Sequence, residues 1–375
     1  MPQEANLREE PKSNASGRLV TVNVRPPISS NRVPGRRPRI GFIGHAFAGG
    51  GVERWLGALI KCTKHEYDWV GVGCEEFCQD RGAKMVGTEV SVGKEACVNL
   101  SKKCDLLLVW CSEQLHRYAY ESKAKLVGTW HSGPGEWTSK RAAMMDWDLM
   151  DAVHACSEYC IRSIPAAHQT RAQVIFNCVD PSWINPTVSK SEFIDANRVP
   201  EGRNIFSFIG RLSPEKGWGV AILGASLAKN SHVLISGRPH TQSLEDGVRF
   251  ATSEMVRNST FVGWSSDIGN ILQCSRALIT PSDKLEACQY TVMEAALAGV
   301  PVISTPFGIV HDRPEIACEI LPKNPTHHDV TDACNRIISD PESAAHKASK
   351  ARLLVASEFN MVVWREKWLR FLGGL

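Results

Sequence analysis

The chain has 375 residues, a formal net charge of +3 and 43% hydrophobic residues, an ordinary composition for a globular protein of about two domains. This charge balance gives no indication of a nucleic-acid-binding protein, and no run of about 18 uncharged apolar residues predicts a membrane span. The thirteen cysteines lie largely in apolar runs, which indicates buried, reduced thiols in a cytosolic protein.

Residues 1–37 are rich in Pro, Arg, Ser and Asn, and they lack the apolar core of a secretory signal. We expect a flexible basic N-terminal extension, with "RLVTVNV" as a short additional strand. The extension is either a plain solvated segment or a contact for anionic lipid or polymer.

Residues 38–185 start with the strand "RIGFIGHAF", the glycine turn "AGGG" and the amphipathic helix "VERWLGALIKCT". Helix-like segments then alternate with the apolar runs "DWVGVG", "CDLLLVW", "AKLVGTWH", "AVHACS" and "AQVIFN". Continuous apolar runs separated by helices predict a parallel sheet buried on both faces, and therefore a Rossmann-like domain.

A Pro/Ser/Asn-rich linker is predicted at 186–203, after which the pattern starts again over 204–357. The strand candidates here are "NIFSFIGRL", "HVLISGR", "STFVGW", "RALITPS", "VPVIST" and "ACEILP", with helices at 217–228, 243–257 and 267–275. The predicted fold class is α/β, with two facing doubly wound domains. Such domains bind ligands at the carboxyl ends of their strands, here in the cleft between them.

Residues 358–375 contain "FNMVVWREKWLRFL", which has apolar residues on one helical face. We expect this C-terminal helix to pack back towards the N-terminal domain. Its basic residues leave a membrane-surface helix as the alternative.

The segment "FIGRLSPEKGW" places Arg211 and Lys216 on a strand-to-helix turn. A guanidinium and an ammonium that point into a cleft suit a phosphate or diphosphate, whereas the alternative is a solvated basic turn.

The segment "EACQYTVMEAALAGVPVIS" holds Glu286 and Glu294 around the predicted start of a helix that ends near Gly299. Free backbone N–H groups at "ACQYT" would form an anion site. Acids beside an anion site suggest carboxylates that accept hydroxyl hydrogen bonds, and a nucleotide sugar supplies both a diphosphate and hydroxyls. The alternative for each acid is a solvated helix charge.

These motifs resemble the retaining group-1 glycosyltransferases of the GT-B fold over about residues 38–372. The matching segments in the second half are "FIGRLSPEKG", "VGWSSDIGNILQCSRALITPS" and the Glu-x7-Glu stretch that runs into "EAALAGVPVIST". The first half contributes the less specific "GGGVER", "HSGPGEW", "SEYC" and "VIFNCVD".

The resemblance implies that Arg211 and Lys216 hold the donor diphosphate, and that Glu286 contacts the donor sugar. Glu294 would bind the ribose, and His131 would orient the substrate or assist proton transfer. The remaining donor-binding residues that it implies are Gly49, Gly50, Gly51, Gly210, Gly237, Gly263, Cys288, Gln289, Tyr290 and Thr291.

The chain departs from the family pattern at Ala287, Cys288, Gln289 and Tyr290, where the family often has Gly or Pro and a Phe-Gly pair. We expect Cys288 and Gln289 to shape the sugar pocket. Asp146 and Asp148 form an Asp-x-Asp pair, but they lie on a predicted helix without further acids. We therefore expect no metal and no other cofactor.

The expected function is transfer of a sugar from a nucleotide diphosphate sugar to an acceptor hydroxyl by a retaining enzyme. Three alternatives remain, namely a nucleotide-sugar epimerase, an inactive binding subunit and a sugar phosphorylase. We expect a cytoplasmic protein with no nucleic-acid partner and at most peripheral contact with the inner membrane face. The sugar, the base and the acceptor do not follow from the sequence.

Overall fold

The computed structural model describes residues 35–375 apart from positions 48, 77–79, 111–114, 121, 240, 266 and 284. The predicted strand "RLVTVNV" therefore lies outside the described residues. Within them, thirteen strands form two separate sheets, one of seven strands and one of six, in which all pairs are parallel. The prediction of two doubly wound α/β domains is confirmed.

The first sheet has the order β3-β2-β1-β4-β5-β6-β7, which reverses direction beside β1 and creates a crevice at the carboxyl ends of β1 and β4. Its elements are β1 (Arg39–Gly44), α1 (Gly51–Thr63), β2 (Asp68–Cys74), α2 (Asp80–Val86), β3 (Val90–Val92), α3 (Lys94–Ser101), β4 (Leu106–Trp110), β5 (Lys125–Trp130), α4 (Glu136–Ala143), β6 (Ala152–Ala155), α5 (Glu158–Ile161), α6 (Ala166–Gln169) and β7 (Ala172–Val174).

The second sheet has the order β10-β9-β8-β11-β12-β13, with the same reversal beside β8. Its elements are α7 (Lys190–Ala196), β8 (Asn204–Ile209), α8 (Trp218–Ser226), β9 (Ser231–Ser236), α9 (Gln242–Phe250), β10 (Ser259–Gly263), α10 (Ile268–Leu272), β11 (Ala277–Thr280), α11 (Tyr290–Leu297), β12 (Val302–Ser304), α12 (Ile309–Asp312), β13 (Glu319–Ile320), α13 (His327–Ser339) and α14 (Pro341–Glu358).

Three details differ from the expectations. The strand β3 was not predicted, because it is a three-residue edge strand with two exposed positions and no apolar run. The helix expected at 243–257 ends as α9 at Phe250 and continues as a π-helical turn to Met255. Asp146 precedes a separate 3₁₀ turn, Trp147–Leu149, and Asp148 lies within it, so neither residue is on an α-helix.

The last helix, α15 (Met361–Gly373), packs on α1 of the first domain. The Asn360 side chain caps its start by accepting hydrogen bonds from two backbone N–H groups at 3.0 Å. Its Trp364 and Trp368 are buried, and Arg365 donates to the Cys62 carbonyl of α1 at 2.9 Å. The C-terminus therefore joins the two domains. Across the described residues, no helix combines the length and apolar character that a bilayer crossing requires.

Candidate active site

The carboxyl ends of the two sheets meet through contacts between their loops. Gly133, after β5, donates its backbone N–H to the Leu285 carbonyl at 3.3 Å. The Asn177 side chain donates to the Cys288 carbonyl at 2.9 Å. Arg81 of α2 lies 3.6 Å above the ring of Trp264, which follows β10. The loops that carry the predicted site residues therefore line one interdomain cleft.

A short ion pair in the second domain joins the segment "FIGRLSPEKGW" to the segment "EACQYTVMEAALAGVPVIS". Lys216 ends the 3₁₀ turn Pro214–Lys216 after β8, and its ammonium donates to the Glu286 carboxylate at 2.5 Å. Both side chains are largely buried, with 23% and 10% exposed. Arg211 is 57% exposed and pairs with Glu215 at 3.3 Å. The structure thus brings Lys216 and Glu286 together and leaves Arg211 reachable beside them.

Three predicted glycines bring the backbone at the ends of β8, β9 and β10 close together. A Cβ at Gly237 would lie 2.0 Å from the Gly210 carbonyl oxygen, so no side chain fits there. Gly263 has a φ of +77°, and its carbonyl accepts from the Gly237 N–H at 3.1 Å. This edge therefore presents backbone rather than side chains to the cleft.

The start of α11 is held by its own side chains. The Gln289 side-chain oxygen accepts from the Ile309 N–H at 3.0 Å, and its amide donates to the Phe307 carbonyl at 3.3 Å. Cys288 is buried as well, and burial raises the pKa of its thiol. These two side chains therefore fix the loop ahead of α11 rather than facing the open cleft. Thr291 is half-buried at the first turn, where helix N–H groups lack intrahelical partners.

Glu294, one turn into α11, is fully buried and forms a hydrogen-bonded ion pair with Arg54 of α1. Burial raises the pKa of Glu294 above its ordinary value, and the Arg54 guanidinium opposes this. The Arg54 guanidinium also lies 5.2 Å from the Trp183 ring and 5.6 Å from that of Tyr290. The second carboxylate oxygen and the Tyr290 hydroxyl are buried without a hydrogen-bond partner. Two unsatisfied polar groups therefore lie beside this ion pair.

The turn before α1 approaches the second domain closely. Gly49 has a φ of +81°, and a Cβ there would lie 3.1 Å from the Arg81 side chain. The Gly50 N–H donates to the Glu53 carboxylate at 2.7 Å and so caps α1. A Cβ at Gly51 would lie 3.5 Å from the Tyr290 ring. This turn allows α1 to start beside α11.

His131 follows β5, and its ring contacts Trp55 edge-on with centroids 4.7 Å apart. The imidazole Nε2 is buried without a hydrogen-bond partner. Burial lowers the pKa of His131 well below its ordinary value, and the nearby His154 lowers it further. The residue is therefore a neutral imidazole at the inner edge of the cleft.

The described residues hold no group of three or more His, Cys, Asp or Glu side chains that could bind a metal. Asp148 lies on the surface near Arg171, with its carboxylate 3.5 Å from the guanidinium.

Sequence reasoning missed four features of the cleft: Arg54, Arg81, Trp264 and a cluster of His45, Glu75 and Tyr118. Arg54 and Trp264 stand inside the quoted motifs "GGGVER" and "VGWSSDI", but their partners are distant in the chain. For Arg81 and the cluster, no sequence motif provides a signal.

Residues 189–353 match the family model for glycosyl transferases group 1. The curated relative alpha-maltose-1-phosphate synthase of Mycobacterium tuberculosis is 23% identical over 253 residues, which is 62% of this chain. The chain spans 64% of the length of that relative, just under two thirds.

Solved structures resemble the chain over most of its length. Anabaena Alr3699/HepE in complex with UDP and glucose has a TM-score of 0.78 at 17% identity, covering 90% of this chain and 100% of that one. A Rickettsia africae glycosyltransferase has a TM-score of 0.69 at 17% identity, covering 90% and 98%. The fold is therefore GT-B, and the second domain of the chain matches the group 1 glycosyltransferase family model.

Proposed function

We propose that this protein is a retaining, metal-independent glycosyltransferase, which moves a sugar from a nucleotide diphosphate sugar to an acceptor hydroxyl. The observation that carries the proposal is the contact between Lys216 and Glu286. It joins a diphosphate-binding cation to a carboxylate that accepts sugar hydroxyls, at the carboxyl edge of a doubly wound sheet.

In this proposal, Arg211 and Lys216 bind the donor diphosphate together with the free N–H groups at the start of α11. The backbone edge at Gly210, Gly237 and Gly263 receives the nucleoside, since a glycine adds no side chain of its own at these positions. Glu294 binds the ribose once Arg54 moves aside. A UDP-sugar is the first donor to test, because the similar Anabaena structure holds UDP and glucose.

The bond that breaks joins the anomeric carbon to the diphosphate oxygen, and negative charge develops on the diphosphate. Arg211, Lys216 and the positive end of α11 stabilise that charge, so no metal is needed. We assign no covalent role to Glu286, because Lys216 holds its carboxylate beside the diphosphate site. The acceptor hydroxyl attacks the same face, its proton passes to the departing diphosphate, and the anomeric configuration is retained.

The neutral His131 orients the donor sugar in the same proposal, because an uncharged imidazole exchanges hydrogen bonds with hydroxyls without adding charge. We also propose a cytoplasmic location, since every cysteine in the described residues is a free thiol. The acceptor is a glycan, a lipid-linked sugar or a small molecule held by the first domain.

The test begins with a thermal-shift screen of UDP-, GDP- and ADP-sugars, followed by proton NMR of the product. We expect one donor to raise the melting temperature, and its transfer product to keep the anomeric configuration of the donor. Inversion would contradict the retaining mechanism. Conversion of the donor alone into an isomer would instead indicate an epimerase, and dependence on free phosphate would indicate a phosphorylase.

A further inference from the structure

Three side chains that the proposed function does not use meet at the carboxyl edge of the first sheet. His45 directly follows β1, Glu75 directly follows β2, and Tyr118 lies on the 3₁₀ turn after β4. The Tyr118 hydroxyl donates to the Glu75 carboxylate at 2.5 Å, and His45 Nδ1 lies 2.9 Å from its other oxygen. The carboxylate thus holds an imidazole and a phenol from two different loops.

The side chains of Glu75 and His45 differ in solvent exposure, and this difference favours a binding role. The Glu75 side chain is 6% exposed, whereas that of His45 is 47% exposed. A buried carboxylate therefore orients an imidazole that reaches solvent. This matches the arrangement in which an orienting acid fixes a histidine that contacts substrate.

The protonation states follow from the hydrogen bonds. Burial alone would raise the pKa of Glu75, but the hydrogen bonds from Tyr118 and His45 and the charge of Lys94 lower it below its ordinary value. An ionised carboxylate only accepts, so the hydrogen of a neutral His45 ring lies on Nδ1. Nε2 is then an acceptor, and the exposed Glu76 carboxylate, a described group near it, lies 3.6 Å away, beyond hydrogen-bond distance.

The cluster of His45, Glu75 and Tyr118 lies on the first-domain side of the cleft. His45 lies in the same β1–α1 loop as Gly49, which contacts Arg81, and Arg81 covers Trp264 of the second domain. A molecule bound at His45 therefore lies on the side of the cleft opposite the diphosphate site. The two carboxylates of Glu75 and Glu76 disfavour an anionic group at this position.

We propose that His45, positioned by Glu75 and Tyr118, binds the acceptor by accepting a hydrogen bond from a hydroxyl of an uncharged sugar. This inference rests on the proposed function, since it names the class of acceptor for the same cleft. Glu75 and Tyr118 are positioning residues, because they act through His45.

Saturation-transfer NMR tests the proposal with a panel of neutral sugars (glucose, galactose, mannose and maltose) and two anionic ones (glucose 1-phosphate and glucuronate). Each is measured with and without UDP, for wild type, His45→Ala, Glu75→Gln and Tyr118→Phe. Two matched controls lie outside the cluster: Tyr120→Phe, whose hydroxyl contacts Asp146 at 3.5 Å, and Glu95→Gln on the exposed start of α3. Melting temperatures and UDP affinity are recorded for every variant.

We expect at least one neutral sugar to bind wild type, and His45→Ala and Glu75→Gln each to lower its affinity about fivefold or more. Glu75→Gln removes the carboxylate charge and leaves one acceptor oxygen where His45 and Tyr118 each had one, which weakens the orientation of the ring. Tyr118→Phe removes a single oxygen atom and should have a smaller effect in the same direction. Both controls should bind the sugar as wild type does.

Binding of anionic sugars only, or neutral-sugar binding that His45→Ala and Tyr118→Phe leave unchanged, would overturn the proposal. An absence of any sugar binding while UDP binds would overturn it too, and the proposed donor site would stand. Failure of UDP, GDP and ADP to bind wild type would instead count against the proposed function, whatever the sugars do.

Discussion

Lys216 and Glu286 are opposite charges held mostly out of water, and each satisfies the other in the absence of a ligand. Removing one partner of such a pair leaves the other charge uncompensated. A diphosphate that arrives beside them adds a second anion for Lys216, and Arg211 remains exposed to receive the rest of its charge. In the proposed function, Lys216 therefore binds the donor while it keeps its contact with Glu286.

We predict that Lys216→Met lowers kcat by about 100- to 1000-fold, because it removes a positive charge that stabilises the departing diphosphate. Steady-state kinetics with the donor found by thermal shift measures this loss. Lys229→Met, an exposed lysine of the same domain, is the matched control and should behave as wild type. A Lys216→Met enzyme within a few-fold of wild type would place the diphosphate elsewhere.

From the buried ion pair of Arg54 and Glu294, we predict a free energy of unfolding that depends on pH. Burial raises the folded-state pKa of Glu294, so its ionisation costs stability as the pH rises above the ordinary glutamate value of about 4.3. Arg54 opposes that cost, and without it the pKa rises further. Arg54→Met should therefore lose about 3–5 kcal/mol at pH 8, and clearly less near pH 5, where the carboxyl takes up its proton.

Urea unfolding at both pH values measures this difference. The matched control is Arg249→Met, which removes an exposed pair with Glu245 and should cost only about 0.5 kcal/mol at either pH. If the loss of unfolding free energy in Arg54→Met did not grow with pH, Glu294 would not be the group whose charge Arg54 compensates.

At the scale of elements, α15 shows how the chain joins its two halves. The helix follows the second domain in sequence, yet Trp368 packs against Trp55 of α1, with ring centroids 5.5 Å apart. The same tryptophan contacts His154 of β6 at 4.6 Å. Burial lowers the pKa of His154 to about 4, which keeps this aromatic cluster uncharged at neutral pH.

We predict that Trp368→Ala lowers the free energy of unfolding by about 3–5 kcal/mol, since it leaves a cavity among fully buried rings. Val362→Ala lies on the same helix but is 67% exposed, and it should change stability by no more than about 0.5 kcal/mol. Urea denaturation compares the two variants. Equal small losses would show that α15 is not part of the core of the first domain.

The strands were predictable because parallel strands buried on both faces appear as apolar runs, as in Leu106–Trp110. Lys216 and Glu286 were both assigned to the donor, but their mutual contact was not predicted, because the two residues are 70 positions apart. The ion pair of Arg54 was not predictable, since its partner lies 240 positions away. We expected Cys288 and Gln289 to shape the sugar pocket, but the structure buries both side chains. The burial of Gln289 depends on its hydrogen bonds with the Phe307–Ile309 loop.

At the scale of the whole molecule, the described contacts across the cleft come from several loops of each sheet. Arg54 reaches α11, Arg81 covers Trp264, and Asn177 binds the Cys288 carbonyl. A donor that enters between the domains must displace part of these contacts. In the proposed function, the positive charge for its diphosphate comes from side chains and a helix start of the second domain.

We predict that turnover is unchanged after removal of divalent metals with EDTA, because Arg211, Lys216 and α11 supply the charge that a metal would supply. Replacement of Asp148 by Asn should likewise have no effect on rate, since it lies beside Arg171 at the surface. Restoration of a lost rate by Mn²⁺ or Mg²⁺ would show that the donor needs a metal.

Calorimetric titration with UDP, GDP and ADP in buffer with EDTA tests the central claim most directly. At least one nucleoside diphosphate should bind, and Lys216→Met and Arg211→Met should each weaken it about tenfold or more, as expected for a lost charged hydrogen bond. Lys229→Met should leave the affinity unchanged. Binding of none of the three by wild type, or wild-type affinity in both Lys216→Met and Arg211→Met, would contradict a diphosphate site at this edge of the sheet.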